Sequence, residues 1–201
     1  MIYVTMCQLK FKLPTKMNTE NTEISSEKIQ LSELGNQFVL HWGEMGSRWG
    51  INRTVSQIHA FLYFIGKPAN AEQIAETLQV ARSNVSNSLK ELQNWHLIRI
   101  THRMGDRRDY YETPLDVWAL FRTVITERKA REFDPTVEFL RHYLTENTFS
   151  NNELEAKKRV QEMLELMQTL SVWGDEMIKL KPETLTKIMK YGAKIKTLLG
   201  G

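Results

Sequence analysis

Cysteine is almost absent from this chain of 201 residues, which contains only Cys7. A single thiol cannot form an internal disulfide, so the fold is not expected to need an oxidising compartment. Long apolar runs are missing too. No segment approaches the roughly 18 consecutive apolar residues that span a membrane, and polar residues interrupt the N-terminal stretch where a signal peptide needs a continuous apolar core. These absences predict a soluble, cytoplasmic protein without a membrane partner.

Motifs of catalysis and metal binding are also missing. The chain has no His-Glu-x-x-His pair, no phosphate-binding glycine loop and no Gly-x-Ser-x-Gly motif. Its histidines lack the spacing of metal ligands and are expected to be packing or surface residues; they are His41, His59, His96, His102 and His142. We therefore expect neither an enzyme nor a protein that binds a metal or another cofactor.

The composition is that of an ordinary globular protein, with 41% hydrophobic and 25% charged residues. The formal net charge of +3 is by itself a weak indication of nucleic-acid binding, so the distribution of charge matters more. Residues 1–27 include a polar stretch without a core-forming pattern and are expected to be a disordered tail. Met17 in this tail is an alternative to Met1 as the start of the protein.

Apolar residues recur at steps of three and four through most of the chain, which predicts a mainly helical fold. The first helix is expected near residues 27–47, with Gly43 and Gly46 weakening its end. Its buried stripe is expected to consist of Leu31, Leu34, Phe38, Trp42 and Met45. A second helix is expected over residues 54–65, where Gly66 stops it.

Two further helices are expected close together, over residues 70–78 and 82–95, joined only by the short turn at 79–81. Asn70 is a plausible N-cap of the first, and Gln73 three residues later completes a capping box. Alternating polar and apolar residues then predict a strand at 98–102, a turn at Gly105-Asp106 and a return strand at 110–113. This order of elements is that of a winged helix-turn-helix with a two-stranded wing.

The second helix of the pair would then be the recognition helix. Val85, Leu89 and Leu92 mark its core face, whereas the rest of its surface is made of basic and small hydrogen-bonding residues. Candidate DNA-contacting residues on this helix are Arg82, Ser83, Asn84, Ser86, Asn87 and Lys90, and those on the wing are Arg103, Arg107 and Arg108. Such residues suit base edges in the major groove and the phosphates beside it.

Charge is concentrated in the same segment. Six basic and two acidic residues between Arg82 and Arg108 give it a net charge of +4, which exceeds that of the whole chain. A polar helix face or a basic hairpin alone is a common solvated feature. Their combination favours double-stranded DNA as the partner, with a protein-interaction module or a non-specific architectural DNA-binding protein as alternatives.

The C-terminal part is expected to be helical. A helix over residues 115–133 would be followed by another that Asp134 caps and Pro135 opens, then by a long helix capped near Ser150 and a last helix after the break at Pro182. The last helix carries a possible seam of Leu185, Ile188, Ile195 and Leu199. Packing within the subunit and packing across a two-fold axis are both open, and the second is favoured because operator half-sites mirror protein symmetry.

These elements divide the chain into three parts. Residues 1–27 form the tail, residues 28–133 a winged helix-turn-helix DNA-binding domain, and residues 134–201 a helical dimerisation region. The expected fold class is mostly α, with additional C-terminal dimerisation helices beside the winged helix-turn-helix and its two-stranded β wing.

The run over residues 74–113 resembles the winged helix of MarR regulators, and more specifically their GbsR/MarR-like branch. It reads IAETLQVARSNVSNSLKELQNWHLIRITHRMGDRRDYYET, and the wing stretch MGDRRDYYE is its most specific piece. The resemblance extends over about residues 30–145 and implies a homodimeric regulator, expected to be a repressor, on a pseudo-palindromic operator. One departure is Ala81, where related helices often carry a serine N-cap.

The resemblance also implies a small effector, because some members of that branch respond to choline. Five aromatic residues are candidates to bind such a cation through cation–π contacts. They are Trp42, Trp49, Phe61, Tyr63 and Trp118. The alternative is that these residues are core aromatics, which is the commoner role.

Overall fold

The computed structural model describes residues 28–198, with side chains up to residue 192. The expected tail over residues 1–27 and the seam positions Ile195 and Leu199 lie outside that description. The chain is divided into two compact units, between Phe121 and Arg122.

From residue 28 onward, the first unit contains four helices and a small sheet, followed by the start of a fifth helix. Its elements are α1 (Glu33–Arg48), α2 (Arg53–Ile65), β1 (Ala69–Asn70), α3 (Ala71–Leu78), α4 (Arg82–Asn94), β2 (Arg99–Arg103), β3 (Asp106–Glu112) and the beginning of α5 (Val117–Arg128). This order confirms the prediction of a mostly helical fold with a winged helix-turn-helix.

The sheet is antiparallel, with the strand order β1-β3-β2. The turn prediction is wrong by one residue, because Arg103 pairs with Asp106 and the loop consists of Met104 and Gly105. Gly105 has φ +81°, a left-handed conformation that glycine adopts without steric cost. The return strand therefore starts at Asp106 rather than at residue 110. Strand β1 was not predicted, because two residues are too few to show an alternating pattern.

The helix pair follows the sequence prediction closely. Asn70 Oδ1 accepts from the Gln73 backbone N–H at 2.9 Å, and Gln73 Oε1 accepts from the Asn70 backbone N–H at 3.0 Å, which confirms the capping box. Gln79, in the left-handed conformation, ends α3. Helix α4 begins three residues later, and no side chain at Ala81 caps it.

The core of the first unit joins α2, α3 and α4. Val85, Leu89 and Leu92 of α4 are buried in it, as their spacing predicts. The other core members come chiefly from α2 and the start of α3; they include Val55, Ile58, Phe61, Leu62, Ala69, Ala71 and Ile74. Because α4 turns one face into this core, its opposite face is fixed toward the outside.

The prediction for the buried stripe of the first helix is correct in part, because Leu31, Phe38 and Trp42 pack against the core but Leu34 does not. Leu34 is 68% exposed, and the fully buried positions are Gly35, Val39, Gly43 and Gly46. The physical reason is the close approach of α1 to α2. A Cβ atom on Gly46 would lie 2.6 Å from the Cβ atom of Ser56, which is closer than real side chains approach. The glycines thus form the contact face instead of merely weakening the helix.

The second unit is helical throughout its described part. After α5, which runs across the boundary between the units, come a π-helical turn (Lys129–Phe133), α6 (Asp134–Glu146), a 3₁₀ turn (Asn151–Glu153), α7 (Leu154–Lys179) and α8 (Pro182–Leu198). Ser150 and Glu153 form a capping box before α7. The predicted break at Pro182 is present.

The predicted N-cap at Asp134 is wrong. The backbone stays helical from α5 through the π-helical turn into α6, and Asp134 itself is in the right-handed helical conformation. Pro135 has no N–H and its ring crowds the carbonyl four residues earlier, and the wider π turn lets the helix pass that point. The Asp134 carboxylate instead accepts a hydrogen bond from Lys129 Nζ at 2.9 Å.

Candidate nucleic-acid interface

The outer face of α4 presents small polar and basic side chains to solvent. Ser83, Asn84, Asn87 and Lys90 are exposed, and none of them forms a hydrogen bond or an ion pair with a described residue. Their donors and acceptors are therefore unoccupied. Among residues 82–94, no large hydrophobic side chain is exposed. The face is thus suited to a polar, hydrogen-bonding partner.

Arg82 and Ser86, also expected on this face, are bound to each other, and Arg82 is bound to α3 as well. The Arg82 guanidinium donates from Nη1 to Ser86 Oγ at 2.6 Å and from Nε to Glu72 Oε1 at 3.0 Å. Its Nη2 atom lies 2.9 Å from the same carboxylate oxygen. Arg82 is thus a held side chain at the first turn of α4, unlike its free neighbours Ser83 and Asn84.

The wing is built around the carboxylate of Asp106. That group accepts hydrogen bonds from the backbone N–H of Arg108 at 2.9 Å, from Arg108 Nη2 at 2.6 Å and from the Tyr110 hydroxyl at 2.8 Å. These bonds, those from the Arg108 side chain first, hold the pKa of Asp106 well below its usual range. Because Tyr110 is only 2% exposed, the network anchors the hairpin to the interior of the unit.

The three arginines of the wing have different surroundings. Arg108 is paired with Asp106. Arg103 lies with its guanidinium 4.1 Å from the centre of the Tyr110 ring, a cation–π distance. Arg107 is exposed and forms no hydrogen bond or ion pair within residues 28–198. Its positive charge is the one most available to an anionic partner.

Glu72 connects the recognition helix electrostatically to the wing. Partial burial opposes ionisation of Glu72, but hydrogen bonds from its own backbone N–H and from Arg82, with the positive charges of Arg82 and Arg108, lower its pKa. A second acid, Glu112, binds Arg99 at 2.6 Å. The charge of +4 counted over residues 82–108 is therefore partly neutralised by two acids outside that segment.

The partly buried His59 makes a contact that the sequence did not indicate. The Thr113 hydroxyl donates its hydrogen to the Leu97 carbonyl at 2.8 Å. Its oxygen can therefore only accept in the bond with His59 Nε2, 3.1 Å away, so Nε2 is the donor. This chain of bonds ties α2 to the base of the wing. Burial lowers the pKa of His59 to about 4. No sequence signal marks the pair, because 54 residues separate its members.

The five aromatic residues proposed for an effector have mixed environments. Phe61 is completely buried in the core. Trp42 stacks on Phe38 with 5.4 Å between ring centres, and Trp118 makes an edge contact with Phe121 at 6.0 Å. Trp42, Trp49, Tyr63 and Trp118 each keep part of their surface exposed.

No group of three His, Cys, Asp or Glu side chains among the described residues is placed to hold a metal ion. Between residues 28 and 198, no helix has both the length and the apolar character needed to cross a membrane.

The fold is shared with a solved structure. A crystal structure of a transcriptional regulator superposes with a TM-score of 0.58 at 18% identity, covering 72% of this chain and 95% of that one. A mutant of MepR from a multidrug-resistant S. aureus clinical isolate gives 0.34 at 21% identity (66% and 88% covered), and a mutant of Lactococcus lactis ZitR in its apo form gives 0.29 at 20% (66% and 96%). No protein-family model and no curated protein sequence matches the chain. The first superposition supports the winged-helix fold.

Proposed function

We propose that this protein is a sequence-specific transcriptional regulator of the MarR type that binds double-stranded DNA, acting as a homodimeric repressor on a pseudo-palindromic operator. The observation that carries the proposal is the outer face of α4. Four small polar or basic side chains there are exposed without a partner, beside a wing that carries three arginines. Such a protein would act in the cytoplasm.

The chemistry of this face fits a duplex. Hydroxyl and amide groups such as those of Ser83, Asn84 and Asn87 can pair with base edges in the major groove, and Lys90 can bind the phosphate backbone. Because Ala81 provides no side-chain cap, the N-terminal N–H groups of α4 and the positive end of its dipole are also available to a phosphate. Arg107 would reach the backbone or the minor groove from the wing.

The absence of exposed large hydrophobic side chains on α4 favours DNA over a protein partner, because the cores of protein interfaces are depleted in charge and enriched in aromatic residues. A non-specific architectural protein binds only the DNA backbone. The free amides of Asn84 and Asn87 can also pair with base edges, which favours a sequence-specific protein. Both alternatives are outcomes of the test described below.

The homodimer is proposed to form through α7. Met163, Leu166, Leu170 and Trp173 are each between 47% and 60% exposed, and their spacing of three, four and three places them on one side of the helix. This is the a/d pattern with which a helix packs against a second copy of itself. The seam expected on α8 contributes less, because Leu185 is already buried within its own chain.

A small cationic effector such as choline belongs to the same proposal. Its contacts would be the partly exposed rings of Trp42, Trp49, Tyr63 and Trp118, whereas the buried Phe61 could act only as support. Calorimetric titration with choline and with glycine betaine tests this part. Absence of binding heat with both would remove the effector from the proposal and leave DNA recognition intact.

DNA selection with the purified full-length protein tests the main proposal. We expect an enriched palindromic sequence whose half-sites lie about one helical turn apart. Band shifts with the enriched DNA are then compared for the wild type, for Arg82→Ala and for the double variant Arg107→Ala with Arg108→Ala. Both variants should bind at least about tenfold more weakly, since each loses charge-assisted contacts.

The double variant Arg48→Ala with Arg53→Ala is the matched control. It removes two exposed arginines of the same unit that belong to α1 and α2 and not to α4 or the wing. Binding should change much less in it than in the wing variant. An enriched site with unchanged binding in the wing and Arg82 variants would place the contact surface elsewhere. Equal binding to random DNA at physiological salt would instead indicate an architectural protein, and no binding a protein-interaction module.

A further inference from the structure

We propose that Glu72 and Ser86 hold Arg82 in position to read a guanine base in each half-site, which makes Glu72 a specificity-determining residue although it lies outside the recognition helix. This inference rests on the proposed function. It names one base that the interface reads and one residue that positions the side chain reading it.

The geometry leaves part of the Arg82 guanidinium free. A guanidinium has five N–H groups, and the contacts to Glu72 and Ser86 use one from each of its three nitrogens. Two N–H groups therefore remain for a ligand. Arg82 is the first residue of α4, and the N-terminal residues of a recognition helix are those that contact base edges in the helix-turn-helix arrangement.

The pairing with Glu72 favours a base over a phosphate. The carboxylate offsets the charge of Arg82 and so weakens its attraction to the backbone, whereas the remaining N–H donors can still bind the O6 and N7 acceptors of guanine. The hydrogen bonds also restrict the side chain before DNA arrives, so less conformational entropy is lost on binding. Lys90 and Arg107, which have no acidic partner among the described residues, are better suited to phosphates.

Glu72 is itself held in place. Arg82 binds its carboxylate through Nε and Nη2, and the side chain remains 50% exposed. An exposed negative charge beside the reading surface repels phosphates, so any DNA on which Arg82 finds no acceptor is disfavoured. Glu72 thus contributes through repulsion of wrong sequences as well as through positioning.

The experiment compares wild type, Glu72→Gln and Arg82→Lys on the DNA enriched by selection. Each protein is titrated with that DNA and with DNA in which the candidate guanines are replaced by 7-deazaguanine, which lacks the N7 acceptor, or by adenine. For wild type, we expect adenine to weaken binding by roughly 5- to 150-fold for each guanine replaced, the range of one bidentate base contact. Glu72→Gln and Arg82→Lys should lose most of this discrimination.

Glu76→Gln is the matched control. It removes the same charge from the same helix at an exposed position that has no arginine partner among the described residues. Discrimination should stay at the wild-type level in this variant. If Glu76→Gln and Glu72→Gln behave alike, only the overall charge matters and the positioning role is refuted. Thermal melts of all variants check that each is folded.

Salt dependence separates a base contact from a phosphate contact. If Arg82 bound a phosphate, Arg82→Ala would reduce the slope of log affinity against log salt by about one for each protomer. An unchanged slope with lost guanine discrimination supports the inference, and a reduced slope with unchanged discrimination overturns it. If the wild type selects a site and Glu72→Gln keeps the same discrimination between guanine and adenine, only this inference is refuted. A wild type that selects no site refutes the proposed function as well.

Discussion

Replacing Gly46 by alanine should destabilise the first unit by crowding α1 against α2. The new Cβ atom would lie 2.6 Å from the Cβ atom of Ser56, about 0.8 Å less than the 3.4 Å at which ordinary contact begins. A Cβ atom follows the backbone and cannot rotate away, and Ser56 is buried. Relief therefore requires movement of one helix relative to the other.

Two opposing effects set the magnitude. Alanine is a better helix former than glycine by about 1 kcal/mol in a helix interior. Overpacking in a tight core costs about 1–3 kcal/mol and occasionally more. Since Gly46 meets the fixed base of the Ser56 side chain, we expect the cost near the top of that range and a net loss of about 1–2 kcal/mol.

Urea unfolding of the full chain, followed by circular dichroism, measures this loss. Gly174→Ala in α7 is the control, because no atom lies within 4 Å of the Cβ position there. It should gain up to about 1 kcal/mol from helix propensity alone. Gly43→Ala should fall between the two, because the atoms it meets belong to the flexible side chain of Gln57.

A rescue variant completes the series. Gly46→Ala combined with Ser56→Gly removes the obstructing Cβ atom and should recover stability beyond the sum of the two single changes. If Gly46→Ala were as stable as wild type, or were stabilised like Gly174→Ala, α1 would have to lie farther from α2 than the structure shows, and the explanation of the glycine face would be wrong.

Three further outcomes are expected. Since the pKa of His59 is lowered to about 4, its side chain is neutral in the folded protein at neutral pH. The free energy of unfolding should be highest above pH 6.5 and fall by up to about 3 kcal/mol as the pH drops toward 4. His59→Gln should flatten this part of the pH-dependent unfolding curve, and an unchanged curve would assign the loss of stability to other groups. Arg107→Ala alone should weaken binding to operator and random DNA alike and lower the salt slope by about one for each protomer, whereas loss confined to the operator would indicate a base contact. Leu166→Glu with Leu170→Glu should yield monomers in sedimentation velocity and weaken operator binding at protein concentrations where wild type is dimeric; a persistent dimer would exclude the α7 seam.

The local sequence was sufficient to predict the helix-turn-helix. The capping box of Asn70 and Gln73, the turn ending at Ala81 and the core face of α4 depend on residues within one or two turns of each other. Capping hydrogen bonds and apolar periodicity involve residues close together in the chain, so both can be predicted from a single sequence. The wing could be predicted for the same reason, except for the position of its loop.

Interactions between segments far apart in the chain could not be predicted from the sequence. The glycine contact of α1 with α2 was missed, and Leu34 was wrongly placed in the buried stripe, because periodicity locates large apolar residues, whereas glycines make this contact by having no side chain. The helix expected to restart at Asp134 continues through a π turn, because proline can be accommodated by a change of helical geometry as well as by a break.

The chemical types of the candidate DNA-contacting residues were set by the sequence alone, and so was their order along α4 and the wing. Their partners were decided by tertiary structure. Glu72 reaches Arg82 from another helix, and Arg103 lies on the ring of Tyr110. A count of charges along the chain treats every arginine alike, because electrostatic interaction depends on distance in space and not on separation in sequence. Only the folded arrangement distinguishes the held Arg82 and Arg108 from the free Arg107.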